Sequence, residues 1–352
     1  MFFSSKKVLG LDIGSNTIKA AEIEVKGKSV TLTGFAMGLT PPECLSAGDI
    51  IDPENLGMAV RSVLDELNSK RKLVSVGLWG TSIIIKKISV PAMDENLLAE
   101  QIKWEAEQYI PFDINEVNLE YKVLKGVSRN QETMELLLVA ARQESVMRYA
   151  EVVLHAGYEC EILDVGGFAL ANAFEANYGV LSGQVVAVFN VGASVTNFIV
   201  IENGELVFCR DVPVGGATYS MELQKSLGIS LAEAEAMKLS IGRGEPAPEE
   251  AQGALNATHE ILQEELSGAV EFFMNTNQSA NIVQAYVTGG ASKTQGMIQA
   301  LQQGLKIPCD AFDPFFNVKY SQRAFSDSYI REIRNYAAVA IGLGLRQGGD
   351  HD

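Results

Sequence analysis

The chain has 352 residues, 47% of them apolar, and its 28 basic and 44 acidic residues give a formal net charge of −16. This length exceeds what one hydrophobic core usually supports, so we expect two domains. The negative charge disfavours direct binding to nucleic acids or anionic membrane surfaces, because both would repel the chain.

The cysteines and the apolar runs indicate a cytoplasmic protein. The four cysteines lie far apart in the sequence and lack the close pairs of zinc or redox motifs. They are Cys44, Cys160, Cys209 and Cys309. No apolar run approaches the length needed to span a bilayer, and the first residues lead into a strand pattern rather than a signal peptide. We expect reduced, mostly buried thiols.

The first elements read as three strands joined by two turns. Residues 8–13 form an apolar run, residues 14–16 have turn composition, and residues 21–25 alternate apolar and charged side chains. A second turn at residues 26–28 leads into a third strand over residues 30–37.

Helices and strands then alternate. Asp52 is the expected N-cap of a helix with Pro53 at its first position. Asp94 is the expected N-cap of a second helix, which Pro111 should end at Ile110. The remaining elements expected in this half are strands at residues 74–79, 82–90 and 136–139, and a helix over residues 146–153 that stops at Gly157.

The opening pattern returns in the second half. Residues 185–191 form an apolar run, a small-residue turn and a strand follow, and Asn203-Gly204 predicts a hairpin into residues 205–212. Aligning Asp12 with Asn190 gives an offset of 190 − 12 = 178 residues. This repeat is far longer than a solenoid unit. We therefore predict an internal duplication, with domains at residues 1–182 and 183–352.

The rest of the second half is also mixed. Residues 230–233 read as a capping box before a short helix. We expect a surface loop at residues 242–252, a long helix over residues 255–273 and a buried strand at residues 282–287. A further helix should begin near Gly296. The predicted fold class is α/β with mixed sheets.

Three loops have a composition suited to phosphate. Small residues let backbone amides approach phosphate oxygens, and neighbouring hydroxyl, amide or ammonium groups add donors. One such hairpin alone is equally well a plain turn, but two in facing domains could clamp one polyphosphate. The first loop comprises Gly14, Ser15 and Asn16, with Lys19 nearby; the second comprises Gly192, Ala193, Ser194 and Thr196; the third comprises Gly289, Gly290 and Ser292.

Other polar and aromatic residues have plainer interpretations. Glu235 and Lys238 lie three apart on one helix face, which alone indicates a solvated ion pair. His259 lies on an apolar helix stripe, which favours a structural histidine over a metal ligand. The tryptophans, Trp79 and Trp104, are assigned to packing.

Taken together, these residues resemble the actin-like ATPase superfamily, which implies ATP and Mg²⁺ between two related domains. The resemblance assigns residues 12–16 and 190–196 to the two phosphate loops and residues 289–292 to an adenosine loop. It implies that Glu235 and Lys238 contact ribose and adenine, and that Gly215 and Gly216 approach the nucleotide. It also implies two connectors between the domains, at residues 168–174 and in the helix with Ala337, Ala340 and Gly342.

One position departs from the superfamily pattern. The second phosphate loop usually begins with an aspartate that organises the magnesium shell, and here the residue is Asn190. Asp12, in the opposite hairpin, is then the one candidate for indirect metal contact through water and for catalysis. We expect ATP to bind much better than it is hydrolysed.

Within the superfamily, residues 90–93 and 104–112 resemble the PilM family of type IV pilus assembly proteins. Residues 138–142 and the stretch from Asp164 to Leu170 fit the same pattern. The resemblance implies a small subdomain inserted at about residues 88–160, a nucleotide-side subdomain at about residues 215–285 and a C-terminal helix that returns to the first domain. It implies binding of the cytoplasmic N-terminal tail of PilN, which would hold the protein at the inner membrane. We expect the inserted subdomain, with Trp104 and Tyr109, to help form the partner-binding surface.

Two other functions are compatible with the superfamily. A small-molecule kinase of the same superfamily would need a substrate pocket with a carboxylate base and a longer chain. A division protein like FtsA would carry an amphipathic C-terminal membrane helix, whereas residues 347–352 are acidic and glycine-containing.

Overall fold

The computed structural model describes residues 6–46, 48–124, 132–277 and 280–348. Strands and helices alternate along it. The first part contains β1 (Lys6–Lys7), β2 (Leu9–Ile13), β3 (Thr17–Lys26), β4 (Ser29–Leu39), β5 (Leu45–Ser46), β6 (Asp49–Ile50), α1 (Pro53–Glu66), β7 (Leu73–Leu78), β8 (Ile83–Pro91), α2 (Glu95–Glu107), β9 (Val117–Val123), β10 (Thr133–Arg142), α3 (Gln143–His155), β11 (Glu159–Val165) and α4 (Gly166–Tyr178).

The second part continues in the same manner, and short 3₁₀ turns lie at Ile114–Glu116 and Gly290–Lys293. Its elements are β12 (Val185–Val191), β13 (Thr196–Glu202), β14 (Glu205–Val212), α5 (Gly216–Leu227), α6 (Leu231–Gly242), α7 (Glu249–Thr276), β15 (Ile282–Thr288), α8 (Met297–Leu305), β16 (Cys309–Ala311), β17 (Lys319–Tyr320), α9 (Asp327–Ile333), α10 (Ala338–Gly344) and β18 (Gln347–Gly348).

Two large sheets share one strand order. The first runs β11-β7-β2-β3-β4-β17 and the second runs β14-β13-β12-β15-β16. In each sheet three antiparallel strands are followed by two parallel strands added beside the first of the three. Strand β17 is an addition at the edge of the first sheet. The shared order confirms the predicted duplication with mixed sheets.

The three predicted helix N-caps are confirmed. The Asp52 carboxylate accepts a hydrogen bond from the Asn55 amide at 3.0 Å, and Pro53 stands at the first helical position. The Asp94 carboxylate accepts from the Leu97 amide at 3.0 Å. At α6, Ser230 and Glu233 form the reciprocal capping box. These caps satisfy amides that the first helical turn leaves without partners.

Two predicted boundaries were wrong. Helix α2 ends at Glu107 rather than at Ile110, because the last turn tightens and both the Tyr109 and Ile110 amides donate to Ala106. The loop predicted at residues 242–252 is shorter, since α7 begins at Glu249 directly after Pro248. The two prolines there indicated a loop, whereas the acidic residues that follow them belong to the first turn of a helix, where the helix dipole favours negative charge.

A third sheet carries its own core. Strands β8, β10 and β9 pair antiparallel, and α2 covers them with a cluster that includes Leu98, Ile102 and Leu138. We call residues 83–142 the inserted sheet. Helix α3 lies outside it, because Tyr149 and Val152 pack with α1 in the core of the first large sheet. The sequence placed α3 inside an insertion at residues 88–160, so the observed unit begins earlier and ends sooner.

Helices α4 and α10 connect the two halves, as the predicted connectors required. They pack against each other, and α10 also lies on β2 of the first sheet. The crossing is so close that a Cβ added to Gly342 would stand 1.7 Å from the carbonyl oxygen of Ala169. Within the described residues no helix has both the length and the apolar character needed to cross a membrane. Residues 349–352, with His351, lie outside the described residues.

Candidate nucleotide-binding site

The two predicted phosphate hairpins have the same geometry. The Gly14 amide donates to the Thr17 carbonyl at 3.0 Å, and 178 residues later the Gly192 amide donates to the Val195 carbonyl at 2.9 Å. The hairpins meet, because the Ser194 hydroxyl donates to the Ser15 hydroxyl at 3.0 Å. The first and second loops therefore come together from opposite sheets, with exposed hydroxyls at their tips.

The two hairpins differ in the side chains that precede and follow them. In the first sheet Asp12 pairs with Lys19, and a carboxylate oxygen lies 3.1 Å from the ammonium nitrogen. In the second sheet the equivalent pair is Asn190 and Asn197, joined by an amide hydrogen bond of 2.8 Å. Lys19 is thus mostly buried in an ion pair with Asp12. The Asp12 carboxylate partly neutralises its positive charge.

The amide pair continues into a carboxylate that the sequence did not single out. Asn197 Nδ2 donates to Asp211 Oδ1 at 2.7 Å, and the Gly80 amide donates to Asp211 Oδ2 at 3.2 Å. Burial raises the pKa of Asp211, while the hydrogen bonds from Asn197 and Gly80 act against that rise. The sequence signal was an acid opposite two asparagines on adjacent strands, which becomes visible only once the strand register is known.

Lys238 lies at the base of the second hairpin. Its ammonium group donates to the Gly216 carbonyl at 2.9 Å, to the Ser220 hydroxyl at 3.0 Å and to Glu235 at 2.7 Å. Ser220 also donates to Glu235. The Lys238 side chain is only 10% exposed, so this is a built cluster rather than a solvated ion pair. The Gly216 amide in turn donates to the Gly192 carbonyl at 2.9 Å, which joins the cluster to the hairpin.

The third loop is packed directly against the second hairpin. Gly289 has a φ of 94°, and a Cβ there would stand 2.3 Å from the Val191 carbonyl oxygen. Only glycine fits that conformation and that approach. Ser292 is turned inward: its hydroxyl donates to the Gly289 carbonyl at 2.7 Å and accepts from Asn335 at 2.6 Å. Ser292 therefore shapes the loop.

The rim beyond this loop contains residues that the sequence reading missed. A Cβ at Gly290 would stand 2.6 Å from the Tyr336 ring, and the Lys293 ammonium lies 4.5 Å from the centre of that ring. Burial raises the pKa of Tyr336, and the charge of Glu235 raises it further. Tyr336 thus lies on the Glu235 side of the cleft.

Several of the predicted binding residues are buried, and Thr196 and Gly215 are among them. Thr196 has no exposed surface, and its hydroxyl donates to the Val214 carbonyl at 2.7 Å inside the sheet. Its side chain points into the core and is engaged there, so the assignment of Thr196 to phosphate binding stays a prediction. Gly215 is also buried, and it lies against the Gly192 and Ala193 carbonyls, so it contributes close packing at the start of α5.

The residues present fit a nucleotide with magnesium. Asp12 and Asn190 occupy equivalent positions in facing sheets, next to hairpins that offer amides and hydroxyls. Within the described residues no group of three or more His, Cys, Asp or Glu side chains could hold a metal ion. Hairpins with amides and hydroxyls beside the Asp12 carboxylate suit Mg²⁺ that is held mainly by phosphate oxygens and water, the usual arrangement for this ion.

The remaining singled-out residues divide between the core and the surface. His259 is buried. Its Nε2 donates to the Gln295 carbonyl at 3.0 Å and its Nδ1 accepts from Tyr219 at 2.7 Å, as expected of a structural histidine. Trp79 packs against Gly166. Trp104 is 73% exposed, so its assignment to packing was wrong.

Two sheets of one strand order, joined by crossing connector helices and contributing facing hairpins to one cleft, define an actin-like fold. Within that class, the family model described as "Type IV pilus assembly protein PilM" matches residues 10–348. The chain therefore belongs to the PilM family.

Solved structures and a curated relative agree with this assignment. The chain is 29% identical to a chain of a PilM-PilN type IV pilus biogenesis complex. The match covers 97% of this chain and 99% of that one, with a TM-score of 0.86. It resembles ADP-bound MreB5 of Spiroplasma citri in fold alone, at 12% identity, a TM-score of 0.51 and coverage of 94% and 99% of the two chains.

Among curated proteins, the cell division protein FtsA of Bacillus subtilis (strain 168) is 25% identical over 262 residues. The match covers 66% of this chain and 58% of FtsA. The chain thus spans little more than half of that relative.

Proposed function

We propose that this protein binds ATP with Mg²⁺ between its two halves and serves as a scaffold of the type IV pilus assembly platform. The contact between Ser15 and Ser194 carries the nucleotide part of this proposal, because it brings two hairpins of identical geometry to one point. Two sets of backbone amides facing each other suit a polyphosphate.

Each predicted group has a place in this proposal. The amides and hydroxyls from Gly14 to Asn16 and from Gly192 to Ser194 bind the phosphates. Glu235 and Lys238 border the ribose and base, on the side closed by the loop from Gly289 to Ser292. Asp12 and Asn190 face the metal through water. Bound Mg²⁺ would neutralise phosphate charge. We expect slow hydrolysis, since a neutral amide at position 190 provides less electrostatic stabilisation than a carboxylate would.

The partner part of the proposal rests on the similarity to the PilM-PilN complex. That similarity extends over 97% of the chain at 29% identity, which supports the N-terminal tail of PilN as the ligand of this protein. Binding a membrane protein would hold the chain at the inner membrane from the cytoplasmic side.

The inserted sheet supplies a candidate surface for the tail. Trp104 is 73% and Leu97 is 40% exposed on α2, although the same helix buries Leu98 and Ile102 against the sheet. Large apolar side chains left in solvent on a small subdomain favour a partner-binding face, and tryptophan is the residue most enriched among binding hot spots.

The test is calorimetric titration with a synthetic peptide of the PilN tail, with Mg²⁺ and ATP present. We expect Trp104→Ala to weaken peptide binding by about 30-fold or more, because removing a hot-spot residue costs at least about 2 kcal/mol. The matched control is Phe316→Ala, which removes an aromatic ring that is 68% exposed in the second part of the chain.

Equal losses in both variants would contradict a surface on α2. An absence of peptide binding to the wild-type protein would contradict the partner itself. The nucleotide part is tested separately by thermal unfolding, where ATP with Mg²⁺ at about 100 times Kd should stabilise the fold by about 2.7 kcal/mol.

A further inference from the structure

The second sheet carries a chain of polar side chains with a fixed direction. It runs across three adjacent strands from Asn190 on β12 through Asn197 on β13 to Asp211 on β14, and it ends at the Gly80 amide. We call these three side chains and that amide the polar relay. Its far end lies between β7 and the inserted sheet, and its near end immediately precedes the second phosphate hairpin.

The direction of the relay follows from what each group can donate. An ionised carboxylate only accepts hydrogen bonds, and Asp211 accepts one on each oxygen. Asn197 must therefore turn its Nδ2 toward Asp211, which leaves its Oδ1 for Asn190. Asn190 must answer with its own Nδ2. The orientation of both amides is thus set by the charge two strands away.

This leaves one atom at the near end. Asn190 Oδ1 accepts no hydrogen bond from the residues that the structure describes, and Asn190 is partly exposed. Asp12 and Asp211 both lie close enough to the buried Tyr149 hydroxyl to raise its pKa, in addition to the larger effect of burial.

We propose that Asp211 is a positioning residue, which acts through Asn197 to hold the Asn190 amide oxygen toward the cleft, where it accepts a hydrogen bond from a water molecule of bound magnesium. The inference rests on the proposed nucleotide binding. Magnesium-bound water is a donor, so an amide oxygen suits it and an amide NH₂ group does not. Asn190 thus offers an acceptor oxygen at the position where Asp12 has a carboxylate in the first sheet. The negative charge of the second sheet is on Asp211, two strands away from the cleft.

Substitution of Asp211 by asparagine reverses the relay. The Gly80 amide still requires an acceptor, so the new side chain gives its oxygen to Gly80 and its Nδ2 to Asn197. Asn197 and Asn190 then both turn over, and Asn190 presents Nδ2 to the cleft. We expect Asp211→Asn to weaken binding of ATP with Mg²⁺ by about tenfold, whereas binding of ATP in EDTA changes by about twofold at most.

Asn190→Asp should leave one carboxylate of the relay without a donor from Asn197, and adding Asp211→Asn should remove that defect. In Asn190→Asp, the single Nδ2 of Asn197 faces carboxylates on both sides and can satisfy only one, so the fold should lose stability. In Asn190→Asp with Asp211→Asn, every donor again has an acceptor, and a carboxylate now faces the cleft. We expect the double variant to melt within about 2 °C of wild type, whereas Asn190→Asp alone melts several degrees lower.

The experiment combines thermal unfolding without ligand with titration of ATP in Mg²⁺ and in EDTA, for the wild type, the two single variants and the double variant. Glu264→Gln, an exposed acid on α7, controls for loss of one negative charge. Rescue of stability in the double variant, together with a selective loss of Mg²⁺-dependent affinity in Asp211→Asn, is the expected result.

Additive effects of the two substitutions on stability would overturn the relay. So would an Asp211→Asn variant that loses affinity equally in Mg²⁺ and in EDTA. A wild-type protein that binds no ATP would instead contradict the proposed function, and the unfolding measurements would still decide the relay.

Discussion

At the scale of single residues, burial determines what the polar side chains do. His259 illustrates this, because the Gln295 carbonyl can only accept and therefore fixes the proton on Nε2. Nδ1 is then left to accept from the Tyr219 hydroxyl. Burial lowers the pKa of His259 from its ordinary value of 6.5, since a charged ring would lose water and gain a donor where it has an acceptor.

That lowered pKa predicts a loss of stability in acid. Below about pH 6.5 the unfolded chain binds a proton on this histidine that the folded protein resists, so the free energy of unfolding falls as pH falls. Between pH 6.5 and 5.5 we expect the wild type to lose more stability than His259→Gln, by up to about 1 kcal/mol. Denaturant unfolding at several pH values measures this difference, with His155→Gln at the partly exposed His155 as control. Parallel pH dependences of wild type and His259→Gln would show that His259 contributes nothing.

The sequence predicted part of the site at this scale. The 178-residue repeat paired Asp12 with Asn190 and located both hairpins, because turn residues act locally. It missed Asn197, Asp211 and Ser220, whose partners lie on other elements and are between 7 and 131 residues away in sequence. It also assigned Thr196 to phosphate binding, since nothing in the sequence shows that its hydroxyl donates to the Val214 carbonyl.

At the scale of elements, the crossing of α4 and α10 depends on the absence of side chains. Gly342→Ala would place a methyl group 1.7 Å from the Ala169 carbonyl oxygen, so one of the two helices would have to move. We expect the variant to lose about 2–3 kcal/mol of stability, although alanine is the better helix former. Gly268→Ala is the matched control, because Gly268 lies on α7 with nothing within 4 Å of the added methyl group.

The control should gain about 0.5–1 kcal/mol through helix propensity alone. Thermal unfolding of both variants decides the point. A stabilised Gly342→Ala variant would show that the connectors are not closely packed.

Helix N-caps were predicted well from the sequence, and helix ends were predicted less well. Asp52, Asp94 and Ser230 act on amides three residues away, so the sequence contains the whole interaction. The limits of the inserted sheet were predicted less well, because α3 returns to pack on α1 and no local pattern records that contact.

At the scale of the whole molecule, the inserted sheet rests on both halves. Ala141 on β10 belongs to the core of the first large sheet. Lys122 on β9 lies 2.9 Å from Glu205 on β14, and Leu137 on β10 is buried in the core of the second half. The neighbouring Leu138 points to the other side and is buried in the core of the inserted sheet itself. We therefore expect a ligand that orders the two halves to act also on the proposed tail-binding surface.

This arrangement predicts that ATP and the tail peptide bind cooperatively. We expect ATP with Mg²⁺ to raise peptide affinity by about fivefold, and the peptide to raise ATP affinity by the same factor, as linkage requires. Leu137→Val should reduce that factor, whereas Leu138→Val should leave it unchanged. Calorimetric titrations of each ligand with and without the other measure it, and a factor of one in the wild type would mean that the sites are independent.

The first large sheet is also completed late in the chain. Strand β17 pairs with β4, and Val318, Ile330 and Ile341 share a core with Ile23 and Leu32. During synthesis, β2 to β4 emerge from the ribosome roughly 300 residues before the segment that covers them, so one face of this sheet waits uncovered while the second half is made. Folding from the N-terminus, the usual order for separate domains, is therefore incomplete here until α10 has been translated. We expect a chaperone that binds apolar strands to bind the nascent chain during this interval. A chain truncated after β16 would remain a substrate of that chaperone, because the face of the first sheet would stay uncovered.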